Sequence, residues 1–293
     1  MNILVLGGSY FLGKQFVKMA MGEHNVTVFN RGRSPLLLPQ VKELVGDRHN
    51  IDDLKQLGDR TYDAVVDCCA YDKDDIVAIF RHLRAGCKQY LFISTCDVYG
   101  HGLGVMLDEK APFERRSFDG EAGQYITGKV ALEEELVACA AKNGVFYTSL
   151  RPAFIYGPDN YAPRETMYFH WIEKAGQILH PTDATGEFQM VYVEDVARAI
   201  LGALGNEAAY DQAFNLAPFP MTTYESFADA LADSVEVPFE RVPVTVQMVT
   251  EKQIPLPFPL TMEESNRYDG RKALQLIGSY TKLEDGLRKT AAL

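Results

Sequence analysis

An α/β fold, a doubly wound parallel sheet with a smaller C-terminal lobe, is predicted by three observations on this 293-residue chain. Short apolar runs alternate with amphipathic stretches through the first half, as strands buried on both faces alternate with the helices that cover them. A glycine-rich string separates the first such pair, ending at Gly13. Proline then punctuates the last third, where the alternation loosens. The bulk numbers agree: 47% hydrophobic and 24% charged residues are ordinary for a globular protein, and the length supports a large core with an appended lobe.

Taken in order, Ile3–Leu6 reads as the first strand. Residues Phe11–Met21 carry helical spacing through Phe11, Leu12, Phe16, Val17 and Ala20. Asn25–Asn30 and Leu44–Gly46 read as strands and Ile51–Leu57 as a short helix. The strand Ala64–Cys68, a helix over Asp72–Arg84 and the strand Gln89–Ser94 follow. A long helix at about Glu121–Lys142 precedes a strand at Val145–Leu150. Pro152, Pro158, Pro163 and Pro181 then break the pattern, until Val191–Val193 and Val196–Leu204 restore a strand and a helix. Ala213–Leu216 is the expected last strand of the main sheet, with helices near Tyr224–Ser234 and at the end.

Charge and cysteine usage exclude several classes. A net charge of −11 repels nucleic acid and anionic membrane on average, so neither is expected as a partner. No apolar run reaches the roughly 20 residues that cross a bilayer, and Met1–Gly8 lacks the basic and long apolar regions of a signal peptide. Cys68, Cys69, Cys87, Cys96 and Cys139 show no CxxC spacing, which predicts free thiols in a reducing, cytoplasmic setting. The six histidines show no HxxxH or HExxH pairing, so no metal site is expected.

The string Gly7-Gly8-Ser9-Tyr10-Phe11-Leu12-Gly13 stands between a strand and an amphipathic helix. Glycines there allow a tight turn and close helix–strand packing, and the helix N-terminus attracts a pyrophosphate. A dinucleotide site follows from that placement. Tyr10 stands where a small residue would let the backbone approach the phosphates, so its ring is expected to point away from the ligand. The second strand ends in Asn30-Arg31-Gly32-Arg33 instead of an acid, and arginine meets a ribose 2′-phosphate. NADP(H) is therefore expected in preference to NAD(H). Asp47 is placed for the adenine edge, and Cys68-Cys69-Ala70 for the nicotinamide-side ribose, the two cysteines as small inert residues. Arg48 and Pro152 are assigned to the same cofactor.

The fifth strand runs into Ser94-Thr95-Cys96-Asp97, and Tyr125 and Lys129 open the long helix four residues apart, on one face. A phenol with an ordinary pKa near ~10 is too weak a base at neutral pH. A lysine ammonium and the positive ring of an oxidised nicotinamide would stabilise its phenolate. Thr95 can hydrogen-bond the same substrate oxygen. Asp97 reads either as a second acid/base or as a solvated loop carboxylate.

These motifs, with Val98-Tyr99-Gly100, Leu150-Arg151-Pro152, Tyr156-Gly157-Pro158, Val193-Glu194-Asp195-Val196-Ala197, Phe214-Asn215-Leu216 and Leu283-Glu284-Asp285-Gly286-Leu287, resemble the extended short-chain dehydrogenase/reductase family, the NAD-dependent epimerase/dehydratase group. The resemblance covers nearly the whole chain. It implies a Rossmann domain over residues 1–155 plus about 189–217, and a substrate lobe over about 156–188 plus 218–293. It also implies a Thr95/Tyr125/Lys129 triad, a small-molecule substrate in a cleft between the lobes, and a homodimer built from the Tyr125-bearing helices. Tyr10 and the Asn30-Arg31-Gly32 ending are similar to an atypical branch of the family, and two further departures count against a sugar-nucleotide dehydratase and a clamped diphosphate. Phe188 stands where nucleotide-sugar members carry a diphosphate-clamping arginine, and Cys96-Asp97 replaces the Asp-Glu of sugar-nucleotide dehydratases. The expected activity is NAD(P)-dependent oxidoreduction or epimerisation at a hydroxyl or ketone of a polar metabolite, a sugar or nucleotide sugar among the candidates. The other reading is a non-catalytic dinucleotide-sensing or RNA-binding member of the same fold.

Overall fold

Seven strands make one parallel sheet: β1 (Asn2–Leu6), β2 (Asn25–Asn30), β3 (Lys42–Val45), β4 (Ala64–Asp67), β5 (Gln89–Ile93), β6 (Phe146–Pro152) and β7 (Gln212–Leu216). The computed structural model describes residues 1–58, 60–83, 86–102 and 104–291. Strand order is β7-β6-β5-β4-β1-β2-β3. The chain steps outward from β1 to β3, then returns to build the other side from β4. Order therefore reverses between β1 and β4, and the crevice at the carboxyl ends there is where such sheets hold ligands. Leu6 pairs with Phe29 on one side and Asp67 on the other, so three strand ends reach that crevice at one level.

The longer helices are α1 (Phe11–Ala20), α2 (Lys73–His82), α3 (Gly120–Asn143), α4 (Glu165–Ala175), α5 (Val193–Ala203), α6 (Tyr224–Ser234) and α7 (Leu283–Ala291), with short turns of helix at Ile51–Leu54, Val246–Glu251 and Leu274–Ile277. Strand interiors are buried on both faces because helices cover both. On one face Phe16 and Val17 of α1 join Val196 and Ile200 of α5 against Ile3 and Val5. On the other, Ile76 and Ile79 of α2 join Leu132 and Leu136 of α3 against Leu4 and Leu6. α2 starts where a capping box between Asp72 and Asp75 satisfies its first amides. α3 stops at Gly144, whose φ of +64° is the left-handed cap that glycine supplies.

Most expected elements are present within a few residues of their predicted ends. The helix expected over Asp72–Arg84 runs Lys73–His82, and Arg84 lies outside the described residues. The strand expected at Val191–Val193 is Met190–Tyr192, which pairs with Phe154–Tyr156 outside the main sheet. α5 starts at once at Val193, earlier than the Val196 expected. The proline-loosened region hides α4 and a strand, Gln177–Pro181, which pairs with Glu240–Val244. These elements are short, and their cover comes from distant segments, so local periodicity is weak. An aromatic cluster fills the space between them, with Phe188 stacked on Phe258 at 4.0 Å and Tyr224 and Phe227 at its edges.

Candidate functional site

A cleft of about 690 Å³ opens over the carboxyl ends of β1, β2, β4, β5 and β6. Its floor is the turn after β1. Gly7 holds φ +80°, and a Cβ there would strike the Cys69 side chain at 2.8 Å. A Cβ on Gly13 would lie 2.1 Å from the Gly7 carbonyl oxygen, so no side chain fits. Phe11 adopts φ +39°, a costly conformation for a residue with a side chain, within this same turn. Ser9, Tyr10, Leu12 and Gly13 line the cleft with it. Tyr10 is half-exposed, and its ring packs 5.9 Å from that of Tyr161.

Beside the turn, Arg31 and Arg33 are exposed on the cleft wall. Asn30 presents them. Its Oδ1 accepts from the Gly32 amide at 2.7 Å and its Nδ2 donates to Glu43 at 2.7 Å. Asp47 lines the same end, its carboxyl held below the usual range chiefly by the His49 amide. Arg48 also borders the cleft but is buried. Its guanidinium makes a two-pronged pair with Asp67 at 2.8 and 2.9 Å and donates to the Asp75 carbonyl. Most of its donors are thus spent tying β4 to the start of α2. Cys68 and Cys69 line the cleft as free thiols. Burial pushes the Cys69 thiol up to about 11 and raises Cys68 as well, which fits inert packing. Pro152 lies at the cleft, whereas Ala70, expected at the cofactor, is fully buried outside the cleft lining and only its carbonyl bears on the site, as an acceptor from Lys129.

At the other end, α3 brings Tyr125 and Lys129 against the tips of β4 and β5. Lys129 is buried, and its ammonium donates to the carbonyls of Ala70 at 3.0 Å and Ile93 at 2.9 Å. It sits 5.8 Å from the Tyr125 ring centre. Burial lowers its pKa to about 8. Thr95 Oγ1 lies 3.1 Å from Asp97 Oδ2, and Tyr268 donates to the other Asp97 oxygen at 3.4 Å. Burial raises the Asp97 carboxyl, so it is less solvated than a loop carboxylate. The phenol of Tyr125 does not follow the acidification expected from its lysine. Burial first, then the Asp97 charge, holds it above its ordinary range, with the Thr95 hydroxyl opposing. The protein's own groups therefore leave the phenol protonated.

Of the side chains singled out in the sequence, all but Ala70 line this one cleft. Others there carried no motif: Tyr71, Phe154, Ile155, Asn160, Tyr161 and Arg164. The segment after β6 brings the last five, folding back across the opening turn, where Lys14 pairs with Asp159 at 2.6 Å. The Tyr156-Gly157-Pro158 turn was the one local signal for it. The cleft suits an elongated phosphate-bearing ligand. Its glycine cradle has no room for Cβ atoms, two free arginines flank it, and the Ser94 hydroxyl on its wall is buried without a hydrogen-bond partner among the described residues. No cluster of three or more metal-binding side chains occurs among the described residues. Nor is any described helix long and apolar enough to cross a membrane.

The chain matches the family model for the NAD dependent epimerase/dehydratase family over residues 73–217. It is 31% identical over 247 residues to the chloroplast stem-loop binding protein of 41 kDa b of Arabidopsis thaliana, covering 79% of this chain and 62% of that protein. Its fold superposes with a TM-score of 0.80 on a UDP-N-acetylglucosamine 4-epimerase from Methanobrevibacter ruminantium, at 19% identity over 99% of this chain and 97% of that one. A UDP-glucuronic acid 4-epimerase from Bacillus cereus, solved with UDP-glucuronic acid and NAD, gives 0.77 at 17% identity, covering 100% and 98%. The seven-stranded order, the glycine turn and these matches agree: the chain has the fold of these solved epimerases, and its residues 73–217 are similar to the NAD dependent epimerase/dehydratase family.

Proposed function

We propose that this protein is an NAD(P)-dependent oxidoreductase or epimerase acting at a hydroxyl or ketone of a polar small molecule, a sugar or nucleotide sugar among the candidates. The observation that carries it is the meeting of Thr95, Tyr125 and Lys129 with the glycine turn in a single cleft. Two lobes, residues 1–155 plus about 189–217 and about 156–188 plus 218–293, would hold dinucleotide and substrate respectively. Gly7, Ser9, Tyr10, Phe11, Leu12 and Gly13 would hold the pyrophosphate. Asn30, Arg31 and Arg33 would meet a 2′-phosphate, which favours NADP(H) over NAD(H); Asp47, Arg48, Cys68, Cys69 and Pro152 complete the cofactor wall, whereas Ala70, buried outside the cleft lining, serves it only by anchoring Lys129. A bound nicotinamide would supply the hydride acceptor or donor, and in its oxidised form a positive charge.

Tyr125 then moves the proton of the reacting oxygen, and Thr95 fixes that oxygen by hydrogen bonding. Lys129, anchored to two carbonyls, is a fixed positive charge beneath the phenol. Asp97, bonded to Thr95, serves as the second acid/base group. The five free thiols support the cytoplasmic setting proposed for the protein. The family resemblance adds a homodimer built from α3 to this proposal.

The test is NADPH oxidation against a panel of keto sugars. Tyr125→Phe should lower kcat by about 10²–10⁴-fold while leaving NADPH affinity intact. Unchanged turnover in that variant would remove the basis of the enzymatic reading. The chloroplast relative's name favours a second reading, stem-loop RNA binding. The net charge of −11 opposes it, and filter binding to a stem-loop RNA at physiological salt decides it.

A further inference from the structure

We infer that the substrate of this site is a compact anion, a small hydroxyl or keto compound bearing one carboxylate or phosphate monoester, and that Arg164 reads its charge. This rests on the dinucleotide reading above. Arg164 immediately precedes α4 and lines the cleft together with Tyr125 and Asp97. Two contacts fix its guanidinium: it lies 4.9 Å over the Phe154 ring, and Nη1 donates to the Ile155 carbonyl at 3.2 Å. A guanidinium carries five N–H donors in a planar fork. Beyond that one bond the fork has no partner among the described residues.

The nearby carboxyls are committed elsewhere. Asp97 is bonded to Thr95 and Tyr268. Glu165 accepts from the Gly157 amide and the Asn160 side chain at 2.9 and 3.0 Å. A half-buried, oriented arginine beside the reacting groups, bonded to no carboxylate among the described residues, is a receptor for a planar or tetrahedral anion, held through two parallel hydrogen bonds.

Size limits the rest of the ligand. The same 690 Å³ must take the dinucleotide, and Arg164 lines that one cleft together with Tyr125 and Thr95. Behind Phe154 the way is closed by aromatic core, with Phe258 5.7 Å from Phe154 and stacked on Phe188. With the dinucleotide sharing this cleft and Arg164 lining it beside Tyr125, the charge it reads sits close to the reacting carbon.

The experiment titrates NADPH-saturated protein, read by NADPH fluorescence, with D-glucose, D-glucuronate, D-glucose 6-phosphate and UDP-glucose. At least one of the two simple anions should bind about tenfold or more tighter than D-glucose, and the tighter of them identifies carboxylate or phosphate. The gap should vanish in Arg164→Gln and partly return in Arg164→Lys, with NADPH affinity unchanged in both. Equal binding of glucose and its anionic derivatives, no anion binding at millimolar concentration, a gap that survives Arg164→Gln, or UDP-glucose binding more tightly than either simple anion would each overturn the inference. Failure of the parent protein to bind NADPH is a separate result, which sinks the dinucleotide reading itself.

Discussion

At the opening turn the cleft is made of backbone: Gly7 and Gly13 leave no space for side chains, and the first residues of α1 line the crevice. At the far end it is made of side chains drawn from separate segments, Thr95 and Asp97 after β5, Tyr125 and Lys129 on α3, and Arg164 before α4. The first region is fixed by sterics within a few consecutive residues. The second depends on burial, on charge, and on a segment that folds back across the turn. One end therefore tolerates almost no substitution, whereas chemistry at the other can be tuned one side chain at a time.

That contrast can be broken at its stiffest point. Gly13→Ala places a methyl group 2.1 Å from the Gly7 carbonyl. Urea unfolding should show a loss of about 3 kcal/mol or more, and NADPH binding should disappear with it. A stable, cofactor-binding variant would mean that the turn is softer than its geometry.

The side-chain end has a pH signature. Lys129 has a folded pKa of about 8 against an ordinary 10.5, so the folded chain holds this proton less tightly than the unfolded chain. The resulting penalty on folding is full below pH 8 and fades as pH rises toward 10.5. Relative to Lys129→Met, the parent should gain about 3 kcal/mol of stability across that window. A difference that stays flat with pH would mean that the ammonium is not desolvated.

A smaller effect sharpens the boundary between the two regions. Replacing Arg31 and Arg33 by serine should weaken NADPH by about 2 kcal/mol in fluorescence titration and leave NADH nearly unchanged. Equal losses for both cofactors would show that the arginines meet something other than a 2′-phosphate.

The two ends also differed in legibility. Residues 7–13 announce themselves because the steric demand is local and only glycine meets it. Tyr125 and Lys129 were readable because four residues make one helical turn. Arg164 and Tyr161 were not, since what brings them to the cleft is tertiary: the Lys14–Asp159 pair and the packing of Tyr161 on Tyr10 and Phe11. That the protein's own groups raise the Tyr125 pKa instead of lowering it was illegible for a related reason, because desolvation and the Asp97 charge are properties of the folded cleft. The short strands Phe154–Tyr156 and Gln177–Pro181 escaped notice because their partners, Met190–Tyr192 and Glu240–Val244, come from distant sequence.

The all-parallel sheet constrains how the chain comes off the ribosome. No neighbouring strands of the sheet are joined by a hairpin, so each pairing waits for a crossover to be completed. β1, made first, acquires its second neighbour only when Ala64–Asp67 emerges. The edge of β6 stays open until Gln212–Leu216 docks against Thr148–Pro152. A nascent chain stalled before Gln212 would expose that edge as a template for another copy, which makes the late arrival of β7 the point of greatest exposure to aggregation and to chaperones.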